Sequence, residues 1–189
     1  LLSRFINIIL LITVNQLLLA NDKTDNKKEL AIHHFMQGEF LLNQGNYALA
    51  VLEFQDALDI DPNASTIHIS IADAYRRLGR SKHAEDHLQI AIDLDPEELS
   101  SREMLGHLYL INRRYKEAEK EFLVLSNLDA YNDNYIVTLA DLAKLQEKWD
   151  LSVDYYRKAF DLNPQNLNAL ENALQVCLGS ELFKRAETI

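Results

Sequence analysis

The amino-acid sequence predicts an all-α solenoid of stacked helix–turn–helix hairpins, and three observations carry that prediction. Pro62, Pro96 and Pro164 share one register, spaced by 34 residues or twice that. Within a 34-residue copy, apolar residues such as Val51, Phe54 and Leu58 recur three and four apart, the period of a helix that buries one face. Two columns stay small through the four full copies: Gly38, Ala72, Gly106 and Ala140 at the eighth position, where the partial copy has Leu174, and Ala50, Ala84, Ala118, Ser152 and Ala186 at the twentieth. Small residues at two fixed places on successive helices mark close approach of their backbones.

One frame covers 31–64, 65–98, 99–132 and 133–166, followed by a partial copy at 167–189. The first helix of each copy should stop mid-copy, at "NQGN" (43–46), "RLGR" (77–80) and "NRR" (112–114), where turn residues cluster. The second helix should then bury its twenty-fourth residue, Phe54, Leu88, Phe122 or Tyr156, in the space beside the small columns. The seventeenth position is mostly aromatic (Tyr47, Ser81, Tyr115, Trp149, Phe183), and the thirtieth is Ile60, Leu94, Leu128 or Leu162. Asp-Pro or Asn-Pro closes the copies, except in "LSNLDAYN", where Ala130 replaces the proline. A lone hairpin leaves one face apolar, so the copies must stack to bury it.

These columns resemble the tetratricopeptide repeat over 31–189, most of the chain. The resemblance implies a right-handed α-solenoid whose first helices line a concave groove through positions two, five, nine, twelve and thirteen. Copy one then supplies Ile32, Phe35, Glu39, Leu42 and Asn43, and copy two Thr66, Ile69, Asp73, Arg76 and Arg77. Copy three supplies Ser100, Glu103, His107, Leu110 and Ile111, and copy four Asn134, Val137, Asp141, Lys144 and Leu145. The chain departs from the family at the fourth position, with His34, His68, Arg102, Ile136 and Leu170 where an aromatic is common. At the eleventh, Leu41, Tyr75 and Tyr109 give way to Ala143 and Cys177. Phe35 and Glu39 stand where one subset of the family grips a chaperone C-terminal carboxylate with Lys and Asn, so that ligand is disfavoured. Glu39, Asp73, His107, Asp141 and Gln175, with Glu103 and Glu171 nearby, would instead make a broken acidic column beside apolar residues, interrupted by Arg76, Arg77 and Lys144, which could equally neutralise Asp73 and Asp141 within the protein. A protein or peptide segment with spaced basic and apolar residues would complement it.

The first twenty residues follow another pattern. Arg4 precedes the apolar stretch 5–20, and Ala20 precedes the polar lead-in 21–30. A secretory signal peptide fits this order, which predicts a mature start near Asn21 and export to the periplasm or cell envelope. The alternative is a membrane anchor formed by 5–20, although a span needs about 20 apolar residues. The chain ends at the twenty-third position of the fifth copy, before the large residue, so the native chain is expected to continue.

Composition excludes several classes. A net charge of −10 repels phosphate backbones and disfavours nucleic acid. The single cysteine, Cys177, reads as a small core residue and rules out a disulfide framework. His83 and His87 stand four apart on one helix, but two ligands fall short of the three or four of a protein zinc site, so no metal is expected. Neither a phosphate-binding glycine loop nor a Gly-x-Ser-x-Gly elbow occurs, and no cofactor is implied. The sequence therefore predicts a non-catalytic protein–protein interaction scaffold. Its rival is an accessory domain of a larger enzyme, such as a transferase.

Overall fold

A computed structural model describes residues 26–179, and all regular structure among them is α-helical. The predicted signal peptide, the proposed start at Asn21 and residues 180–189 lie outside the described residues. The helices are α1 (26–43), α2 (Tyr47–Ile60), α3 (Ser65–Arg77), α4 (Ser81–Leu94), α5 (Leu99–Ile111), α6 (Tyr115–Leu128), α7 (Asp133–Leu145), α8 (Trp149–Leu162) and α9 (Leu167–Gly179). Residues 26–30 of the polar lead-in are thus the start of α1. The chain forms two compact units, Leu1–His87 and Leu88–Ile189, which divide within α4. In the first, α2 packs on α1 and α3; in the second, α5 to α9 pack each on the next.

The two small columns are where the helices of a hairpin meet. Ala50, Ala72, Ala84, Ala118, Ala140 and Ser152 are all fully buried. Phe54 and Phe122 fill the space beside them, and they come so near α1 and α5 that no side chain fits at Gly38 or Gly106. A Cβ on Gly38 would stand 2.5 Å from the Phe54 ring, and one on Gly106 would stand 2.8 Å from the Phe122 ring. In the fourth copy Ala140 coexists with a buried Tyr156, whose hydroxyl donates to Asp141 Oδ1, while the Ser152 hydroxyl donates to the Ala140 carbonyl (2.9 Å). Val153, Ala173, Val176 and Cys177 join Ala140 and Tyr156 in one core cluster.

Each hairpin turn repeats one geometry. The residue two after α1, α3, α5 or α7 takes positive φ: Gly45 (81°), Gly79 (71°), Arg113 (58°) and Glu147 (59°). The next N–H reaches back to the carbonyl of Leu41, Tyr75, Tyr109 or Ala143 at 2.8–2.9 Å, closing a Schellman motif that satisfies the helix end. Glycine takes this conformation freely, whereas a side chain costs about 1–2 kcal/mol there. Arg113→Gly and Glu147→Gly, at exposed positions, should therefore each stabilise the second unit by about 0.5–1 kcal/mol after glycine's own entropy is deducted. A higher urea midpoint for each variant checks this, and an unchanged or lower one counts against it.

At the opposite ends, position thirty-four caps the next helix. Glu98 accepts from the backbone N–H of Ser100 (2.9 Å) and Ser101 (2.8 Å), Asn132 from Asn134 (3.2 Å) and Asn166 from Ala169 (3.3 Å). Ala64 makes no side-chain cap on α3.

Candidate peptide-binding surface

In the first unit, the start of α1, the end of α2 and the start of α3 enclose a cavity of about 580 Å³. Ala31, Ile32 and Phe35 line it from α1, Ile60 from α2, and Ala64, Thr66 and Ile67 from the loop and α3; Lys27, Lys28 and Asp61 supply its charge. Phe35 is held by its tilted contact with Phe54, whose ring lies 5.8 Å away and is itself seated by the bare backbone of Gly38. Ile32, Met36 and Phe40 follow at a spacing of four, hence on one side of α1, and are 57%, 65% and 57% exposed. Exposed apolar residues that adjoin an apolar cavity in this way mark an interaction surface.

The predicted groove residues divide in their surroundings. Phe35 is half-buried at the cavity, Ile69 is half-buried and Asn43 is exposed. Leu42, expected in the groove, is instead a core residue at 9% exposure. Its position places it on the side of α1 that faces the protein interior. Thr66 and Ile32 do line the cavity.

The acids do not form a free column. Glu39 accepts from the Ser70 hydroxyl (2.6 Å), which ties α1 to α3. Asp73 Oδ1 accepts from Arg76 Nε (3.1 Å) and Oδ2 from Arg77 Nε (2.8 Å). Burial works to raise the Asp73 pKa, but the hydrogen bonds from Arg77 and Arg76 outweigh it and hold the carboxyl below its usual range. The two guanidiniums therefore neutralise Asp73 within one helix. In the second unit, Asp141 accepts the Tyr156 hydroxyl. His107 is exposed with its ring edge-on to Phe122 at 5.3 Å, Glu103 is half-buried and Lys144 is exposed. The expectation of a purely basic-apolar ligand loses its main support at Asp73.

The fourth-position residues turn out to have partners nineteen residues on, at position twenty-three. His34 Nδ1 meets Glu53 Oε2 at 2.9 Å, His68 Nδ1 meets His87 Nδ1 at 3.0 Å, and Arg102 Nη1 donates to Glu121 Oε2 at 3.2 Å. One column pair thus fastens the two helices of three successive hairpins with three different chemistries. Burial lowers the pKa of both His68 and His87, with His68 adding to the effect on His87, so this pair favours the neutral form. His34, Glu53 and Asp56 also bring one ligand atom each within 4.8 Å of one another. Reading each column singly showed His34 and His68 in register and missed the partners, because the fixed offset of nineteen is visible only when two columns are compared.

A family model described as "Tetratricopeptide repeat" matches residues 16–65 and 69–133. A protein O-mannosyl-transferase of Caenorhabditis elegans is 36% identical over 91 residues, which are 48% of this chain and 13% of that protein. DnaJ homolog subfamily C member 3 of Rattus norvegicus is 28% identical over 147 residues, 77% of this chain and 29% of the relative. The chain thus spans less than a third of either relative's length. Among solved structures, a crystal structure of MamA protein matches with a TM-score of 0.73 at 17% identity, over 85% of this chain and 87% of that one. The first repeat domain of Spaghetti (RPAP3), bound to an HSP90 peptide, matches with a TM-score of 0.58 at 21% identity, over 64% and 98%.

Proposed function

This chain belongs to the tetratricopeptide repeat family, and from that premise we propose a non-catalytic protein-interaction scaffold whose first hairpin seats an apolar anchor of a partner segment. One observation carries this reading: the cavity walled by Ile32, Phe35, Ile60 and Ile67, which shares Ile32 with the exposed row Ile32, Met36 and Phe40. An apolar side chain entering such an open cavity leaves water on its inner sides, a part of the about 1.5–3 kcal/mol that full burial contributes. Lys27 and Lys28 favour a carboxylate beside that anchor, with Asp61 as the opposing charge. The RPAP3 domain with its HSP90 peptide supports peptide capture as a use of this fold. The proposal extends to the cell envelope, supported by Arg4 and the apolar stretch 5–20.

Peptides selected from a random library against the whole chain test it, with affinities read by fluorescence anisotropy. Ile32→Asp changes an exposed side chain, so helicity should hold while affinity falls by about tenfold or more. Lys27→Glu with Lys28→Glu should reverse the preference for acid next to the anchor, most clearly at low salt. Selected peptides that bind Ile32→Asp as tightly as the natural chain would place the contact elsewhere.

A second reading has its own observation. The identity to the O-mannosyl-transferase, of which this chain spans 13%, favours a repeat region attached to a larger enzyme. Under that reading the coding sequence continues into a catalytic domain, and one that ends soon after residue 189 opposes it.

A further inference from the structure

The second hairpin carries three histidines that peptide capture does not use. His68 lies buried on α3, and His83 and His87 stand one turn apart on α4. Nδ1 of His68 and Nδ1 of His87 are 3.0 Å apart. Two imidazole nitrogens on one metal at 2.0–2.1 Å stand about 2.9 Å apart at a right angle and about 3.4 Å apart at the tetrahedral angle. The observed separation is that of a hydrogen bond and also falls inside that interval, so an ion would take the place of the shared proton once each ring turns a lone pair toward it.

The surroundings also fit. The backbone of Pro62 hydrogen-bonds the His68 ring, and with no N–H to give, proline can only accept through its carbonyl. A ring N–H held by a carbonyl is how protein matrices orient metal-binding imidazoles, and it leaves the other nitrogen with its lone pair. The His83 and His87 rings both lie near the Tyr75 ring, at 5.0 and 5.7 Å between centroids, which keeps the two imidazoles in one neighbourhood.

We propose that His68, His83 and His87 bind a divalent transition-metal ion of the Ni²⁺, Cu²⁺ and Zn²⁺ class, with His83 completing the set by rotating its exposed ring. Three imidazoles suit these ions over Mg²⁺ or Ca²⁺, which prefer oxygen. The His34–Glu53–Asp56 cluster, richer in oxygen, is the internal competitor.

Titrating Ni²⁺ alone into the full chain by calorimetry at about pH 7.5, where imidazoles are neutral, tests this. One ion should bind with a Kd of about 10 μM or tighter, and about 1 mM Mg²⁺ should not displace it. His87→Gln and His83→Gln should each weaken binding by at least about tenfold. Glu53→Gln and Asp56→Asn should leave it unchanged. His83 is exposed, so its variant keeps the fold, which circular dichroism verifies. Binding weaker than about 10 μM overturns the proposal. So does an unaltered affinity in His83→Gln, which reduces the site to two ligands. Loss of binding in Asp56→Asn assigns the ion to the first hairpin instead.

Discussion

Phe122→Ala should destabilise the second unit by about 3–5 kcal/mol, the cost of emptying a buried aromatic site. The ring is 1% exposed and touches both neighbouring helices: His107 of α5 lies edge-on at 5.3 Å, and Tyr135 of α7 is tilted at 6.3 Å. Gly106, directly across, has no side chain that could move into the void. Repeat arrays hold together through nearest-neighbour interfaces, so removing one filler should weaken two of them at once. Urea unfolding followed by circular dichroism measures this, with Phe122→Leu as the milder comparison. A loss below about 1 kcal/mol would mean that the helices close over the gap.

Gly106→Ala should also destabilise, even though alanine is the better helix former by about 1 kcal/mol. The new methyl would meet Phe122 Cε2 at 2.8 Å, and the displaced ring is buried. Overpacking of this kind costs about 1–3 kcal/mol, so the net effect is smaller than the steric one. The double variant Gly106→Ala, Phe122→Leu reproduces the pair found at those two positions of the second copy, Ala72 and Leu88. It should therefore be more stable than the sum of the two single losses, a coupling read from a double-mutant cycle. Strict additivity would show that methyl and ring do not compete for space.

The architecture was legible because it rests on one-residue rules. A column that must be small, another that must be large and a proline that stops a helix each leave marks on a 34-residue register, with Ala130 the gap in the proline column. The turns were legible at Gly45 and Gly79, whose residue type signals positive φ. At Arg113 the turn was legible within "NRR" but its positive φ was not, and at Glu147 only the register reveals the same backbone. The capping role of Glu98, Asn132 and Asn166 was not legible, because capping carboxylates and amides look like ordinary loop polarity until the helix start is known.

The surface was far less legible, because it depends on which side chains meet. In the sequence Asp73 stands both in an acidic column and beside Arg76 and Arg77, and only the side-chain positions decide between the two: both guanidiniums lie on its side of the helix and cancel it. In the sequence His68 shows only as a departure from the family's aromatic at the fourth position, and its partner appears when α4 brings His87 to it. The cavity draws on three elements, and its mouth includes Lys27 and Lys28, which lie before the first copy of the frame.

The pairing of the eighth and twenty-fourth positions also governs how such a chain can be cut and rejoined. Copies one and three combine glycine with phenylalanine, while copies two and four combine alanine with leucine or tyrosine. A crossover in a hairpin turn would separate these partners and set a methyl against a ring already in contact with bare backbone. A crossover in the loops at 61–64, 95–98 or 129–132 moves both partners together, along with the turn between them. The unit in which this chain can lengthen, shorten or exchange parts is thus the intact hairpin, bounded by its loops.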